Sequence, residues 1–84
     1  YSAVQYAAGA VIFREGDSGS AMYVIESGEV EISRSARGLQ PVAILAAGDF
    51  FGEMAILEDQ PRFATATART DCLLRAVDRE GFAE

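Results

Sequence analysis

Short apolar or alternating segments recur between glycine-centred turns from the first residue to about Asp78, and helical periodicity is nearly absent. Many short strands closing into a sandwich or roll produce this pattern. Val4 and Tyr6 alternate around Gln5, Ala7-Ala8-Gly9 makes a corner, and Val11-Ile12-Phe13 is a second short run of strand formers. Glu15-Gly16-Asp17-Ser18-Gly19-Ser20 is dense in turn residues and predicts a loop. Met22-Tyr23-Val24-Ile25 predicts an apolar strand that turns at Glu26-Ser27-Gly28-Glu29 into a hairpin partner, Val30-Glu31-Ile32-Ser33. In that partner Val30 and Ile32 are expected inside, with Glu29, Glu31 and Ser33 facing water.

Arg34 to Gln40 is polar, contains a glycine and precedes Pro41, so it predicts an exposed loop with Arg34 and Arg37 as solvated charges. Val42-Ala43-Ile44-Leu45 is the next strand, and Ala46-Ala47-Gly48-Asp49 repeats the turn chemistry of Gly16-Asp17. From Arg62 to Arg69 the alternation is strict, which places Arg62, Ala64, Ala66 and Ala68 on one face of a strand. If that face is interior, its alanines leave room beside the arginine, as a pocket requires; the alternative is that they fit the taper of a tight roll. Cys72 to Val77 is the last strand, and Asp78 can cap a helix starting at Arg79-Glu80.

Composition narrows the chemistry. The 84 residues are read as one domain, 1–84, with room for one site. A formal charge of -6 disfavours direct nucleic acid contact and anionic membranes, so any phosphate must be held by local charge. No apolar run approaches the length of a membrane span, and Tyr1-Ser2-Ala3-Val4 does not open a signal peptide, so a soluble chain is expected. Cys72 is a lone cysteine in an apolar strand, a small buried hydrophobe that fits a reducing, cytoplasmic setting. Histidine is absent, which removes His-based metal sites and Ser-His or Cys-His nucleophile pairs. No metal or cofactor and no enzymatic activity are expected.

The run Phe50-Phe51-Gly52-Glu53-Met54-Ala55-Ile56-Leu57, followed by Pro61-Arg62-Phe63-Ala64-Thr65, reads as a small anion site. Gly52 allows close approach of a ligand to the backbone, and a short helix after it would offer unpaired N–H groups and a positive dipole end. Arg62, after a rigid proline, supplies a planar fork that fits two phosphate oxygens. Glu53 repels phosphate, so its natural partner is a neighbouring hydroxyl, such as a sugar ring carries. The bland alternative is a Glu53–Arg62 surface salt bridge across a loop.

Phe51-Gly52-Glu53-Met54-Ala55-Ile56 with Pro61-Arg62-Phe63-Ala64-Thr65 closely resembles the phosphate-binding cassette of the cyclic nucleotide-binding domain family, as found in regulatory subunits of cyclic-AMP-dependent protein kinase and in catabolite activator proteins. Gly16-Asp17-Ser18-Gly19, Met22-Tyr23-Val24-Ile25, Gly28-Glu29 and Gly48-Asp49-Phe50-Phe51 resemble the family's other signatures in the same order. The resemblance implies a mainly β fold: an eight-stranded antiparallel, jelly-roll-like β-roll with one short helix in the cassette. It implies that Glu53 accepts the ribose 2′-hydroxyl and Arg62 holds the exocyclic phosphate oxygens. Gly52 and Ala55 would give backbone contacts, with Met54 between them, and Phe63 and Ala64 would flank the phosphate. The family continues through C-terminal lid helices that cap the purine, most of which this stretch lacks.

The expected role is that of a regulatory module binding cyclic AMP or cyclic GMP and controlling an effector in a longer protein, with a homodimer compatible. Phe63 departs from the small or hydroxylated residue usual after the arginine. A hydroxyl there favours cyclic GMP, so its absence tilts the expectation to cyclic AMP, while the ring is free to stack on the base, point away or narrow the pocket. The alternative is a degenerate dimerisation or scaffold module of the same fold, with Phe63 filling the site.

Overall fold

The computed structural model describes residues 2–35, 41–53 and 61–78. Eight strands run in chain order as β1 Ser2–Tyr6, β2 Val11–Phe13, β3 Met22–Ser27, β4 Val30–Ser33, β5 Pro41–Leu45, β6 Phe50–Phe51, β7 Thr65–Ala68 and β8 Cys72–Val77. They form two four-stranded sheets, β1-β8-β3-β6 and β2-β7-β4-β5, with every adjacent pair antiparallel. The expected eight-stranded β-roll is therefore what the chain adopts. The expected cassette helix and the helix starting at Arg79 fall outside the described residues.

Most connections change sheet. Only β4 and β5 are consecutive strands paired in one sheet, joined across residues 34–40. This corrects the hairpin expected at Gly28. β3 pairs with β8 and β6, whereas β4 pairs with β7 and β5, so the segment around Gly28 is a corner between sheets. Crowding explains why: a Cβ on Gly28, whose φ is +96°, would lie 2.3 Å from the Asp71 carbonyl oxygen. The glycine lets the crossing β3–β4 corner lie directly on the start of β8. Glu29 N–H donates to Thr70 Oγ1 at 3.0 Å and Arg69 N–H to the Glu29 carbonyl at 2.9 Å, which ties this corner to the one between β7 and β8.

The two Gly-acid turns share one geometry. Asp17 N–H donates to the Arg14 carbonyl while its carboxylate accepts from Arg14 N–H, both at 3.0 Å. Asp49 does the same with Ala46, both at 2.9 Å. Each aspartate closes its own turn locally, and the backbone of each turn is also tied to a distant residue, Gly16 and Asp17 to Arg62, and Gly48 and Asp49 to Ile25.

The core lies between the sheets and is built by Ile25, Val30, Phe51, Ala66, Ala68, Cys72 and Leu74, with Tyr6, Ile12, Phe13, Tyr23, Ile32 and Leu45 packed against it. Phe13, Tyr23 and Phe51 form an aromatic cluster with centroid separations of 5.4 to 6.2 Å. Arg62, Ala64, Ala66 and Ala68 are all buried, so the alternating face does point inward, although β7 itself begins at Thr65. Ser33 departs from expectation: it is buried rather than facing water. The β4–β5 register shifts between Ile32 and Ser33, and this irregularity turns the last residue of β4 toward the interior.

Candidate functional site

Arg62 enters the site from a clamped backbone. Its N–H donates to the Asp17 carbonyl at 2.8 Å and its carbonyl accepts from Gly16 N–H at 2.6 Å, so the 14–17 turn grips the residue before β7 begins. The side chain then runs into the interior, where it is 7% exposed. One terminal nitrogen, Nη2, donates to the Ala21 carbonyl at 2.7 Å, and Nη1 donates to the Gly52 carbonyl at 3.2 Å. The guanidinium carbon sits 4.1 Å from the centroid of the Phe13 ring. A desolvated cation on an aromatic face gains roughly 2 kcal/mol, which offsets part of its burial.

No carboxylate pairs with this cation among the described residues, and its Nε is buried without a hydrogen-bond partner. Burial pushes the guanidinium pKa below its ordinary value, while Tyr23 and Asp17 pull it back up. The Glu53–Arg62 surface salt bridge is thus not how Arg62 is held. Leaving one donor of a charged group unmade costs about 1 to 3 kcal/mol.

A pocket of about 160 Å³ opens beside this side chain. Gly52, Glu53, Arg62, Phe63 and Ala64 all line it, so five of the anticipated residues converge on one cavity. The other two, Met54 and Ala55, lie outside the described residues. Gly52 has φ +85°, a conformation L side chains rarely adopt, and its missing Cβ leaves space for Nη1 of Arg62. Ile32, Ala43, Leu45, Phe50 and Phe51 give the pocket apolar walls from β4, β5 and β6.

Phe63 stands at the mouth rather than in the cavity's depth, 53% exposed, with the Arg34 guanidinium 5.2 Å from its ring centroid. Arg34 was expected to be a solvated loop charge, and it remains exposed, yet it leans on the one aromatic that departs from the family pattern. Its loop is anchored: Ser35 N–H and Oγ donate to the two Glu15 carboxylate oxygens at 2.9 and 3.0 Å. Sequence reasoning missed Arg34, Phe13 and the Ala21 carbonyl. Nothing in the local pattern distinguishes them, because each meets the site only through the fold.

A β-roll with a buried guanidinium that has no carboxylate partner among the described residues, beside an apolar-walled pocket that a carboxylate also lines, has the size and charge to admit a small anion. The chain belongs to the cyclic nucleotide-binding domain family, whose profile matches residues 3–84. It is 43% identical over 81 residues to a cAMP-dependent protein kinase regulatory subunit of Aspergillus niger, covering 95% of this chain and 19% of that protein. Among solved structures it is similar to the catabolite activator protein of Thermus thermophilus, with TM-score 0.91 and 38% identity, covering 98% of this chain and 39% of that one. It is also similar to an EAL enzyme solved in cAMP-bound and cGMP-bound forms, each with TM-score 0.87 and 36% identity over 95% of this chain and 22% of that one. The chain thus spans about a fifth of the length of the curated relatives it matches.

Proposed function

We propose that the chain binds a cyclic nucleotide in the Arg62 pocket, cyclic AMP in preference to cyclic GMP, and acts as a regulatory module whose occupancy controls an effector in a longer protein. One observation carries this reading: a 7%-exposed guanidinium with no carboxylate partner among the described residues, lining a pocket that Glu53 also lines. A cyclic phosphodiester supplies the missing negative charge, and its ribose presents a hydroxyl that the Glu53 side chain can accept from. Gly52 with Met54 and Ala55 would bring backbone N–H groups to the phosphate, while Ala64 leaves room beside it and Phe63 borders the opening. Relatives in cAMP-bound and cGMP-bound forms support the ligand class. The lack of a hydroxyl at Phe63 favours cyclic AMP within it.

The outward, exposed ring of Phe63 supports an open pocket over the scaffold alternative, in which that ring would fill the site. Calorimetric titration with cyclic AMP and cyclic GMP tests the reading. The parent is expected to bind both, cyclic AMP more tightly, and Arg62→Ala is expected to lose at least about 2 kcal/mol, or roughly thirtyfold in affinity. No heat with either nucleotide sinks the proposal in favour of the scaffold, and equal affinity of parent and variant ends the role of Arg62.

A further inference from the structure

We propose that Gly19 is a positioning residue for Arg62, one wall of a two-glycine slot that sets where the guanidinium can lie. A Cβ built on Gly19 would stand 2.7 Å from Nη2, 2.9 Å from Nε and 3.1 Å from Cζ of Arg62, all closer than ordinary contact. Its three nearest atoms all belong to this one side chain. A Cβ on Gly52 would likewise stand 2.8 Å from Nη1, the terminal nitrogen that the Gly19 distances do not include. The guanidinium is therefore flanked by two absent side chains, lies on the Phe13 ring, and reaches the carbonyls of Ala21 and Gly52.

The two glycines serve this slot differently. Gly52 also needs its φ of +85°, so replacing it strains the backbone whatever the side chain meets. Gly19 has no such left-handed φ, and Glu15-Gly16-Asp17 already makes the turn before it, so turn chemistry does not explain why position 19 is glycine. Close approach does. The same segment grips the Arg62 backbone through Gly16 and Asp17, so residues 16–21 hold this arginine along its whole length: backbone at the turn, guanidinium edge at Gly19, terminal nitrogen at Ala21. A methyl at position 19 meets the far end of a flexible side chain, which can swing away. The fold survives, and the cation leaves the position from which it can meet a phosphate.

This rests on the binding reading above, and the experiment separates the two. Gly19→Ala, Arg62→Ala and the double variant are prepared alongside the parent, cyclic AMP affinity is measured by calorimetry, and thermal midpoints are measured without nucleotide. The expected result is that Gly19→Ala loses roughly tenfold or more in affinity. Its effect on the midpoint should be confined to the Arg62 background and vanish in Arg62→Ala, because the clash has lost its partner. A glycine needed only for its own backbone would lower the midpoint equally in both backgrounds, and that result overturns the slot. So does Gly19→Ala binding within twofold of a parent that binds. If the parent binds no cyclic nucleotide, the binding reading falls, and the midpoint cycle alone still decides for or against the slot.

Discussion

Holding a guanidinium at 7% exposure with no carboxylate partner among the described residues and one unmade donor costs free energy that two carbonyl hydrogen bonds and a cation–π contact offset only in part. The Arg62 side chain is thus expected to contribute little to folding while carrying the binding energy. An apolar side chain of similar length tests this. Arg62→Met should keep its contact with Phe13, remove the unpartnered Nε, and leave the carbonyls of Ala21 and Gly52 without their donor. These changes are of opposite sign and each about 1 to 3 kcal/mol. The thermal midpoint is expected to stay within roughly 4 °C of the parent or to rise, while cyclic nucleotide binding is lost. A midpoint drop beyond about 8 °C in a scanning calorimeter would instead mark Arg62 as a structural keystone.

At the level of elements, the strands were legible because each is a short apolar or alternating run bounded by turn residues, and period two alone put Arg62, Ala64, Ala66 and Ala68 on one face, while only the fold turns that face inward. Pairing was not. The run into Val30 looks like a hairpin because hairpin and corner use the same residues, Ser27-Gly28-Glu29, and only the approach of Asp71 and Cys72 to Gly28 separates them. Ser33 turned inward through a register shift that no alternation rule contains. In the site, Glu53 and Arg62 could be picked out by chemistry and spacing, whereas the Ala21 carbonyl, Phe13 and the wall at Gly19 reach Arg62 across long stretches of chain.

One of these long-range ties carries a pH signature. Ser35 N–H, then Ser35 Oγ, hold the Glu15 carboxyl below its ordinary pKa of 4.5 against an opposing desolvation, with Arg34 adding a lesser downward pull. A group whose pKa is lower in the folded state stabilises that state above the unfolded pKa and ceases to do so as pH falls through the folded one. Glu15→Gln should therefore be less stable than the parent at neutral pH, and the gap should close as pH drops below about 4.5. Parallel midpoint-versus-pH curves for the two proteins would show that the Glu15–Ser35 tie is not made in solution.

For the whole molecule, the proposed binding would require a chain of net charge -6 to admit an anionic ligand into a pocket beside the buried Arg62. The two influences differ in range. With a radius of gyration of 11.9 Å, the protein lies well inside the Debye length of about 30 Å at 0.01 M salt, so an approaching cyclic nucleotide feels nearly the full repulsion. At about 0.15 M the Debye length falls to about 8 Å, and the distant carboxylates are largely screened. Arg62, buried against the ligand it would hold, is screened far less. Raising salt across this range should therefore speed association, by roughly three- to fivefold from the change in screened Coulomb energy, and leave dissociation nearly constant. Stopped-flow mixing with a fluorescent cyclic nucleotide measures both rates. An association rate that falls with salt would mean that the local field of Arg34 and Arg62 at the pocket outweighs the net charge, and would place electrostatic capture at the Phe63 rim.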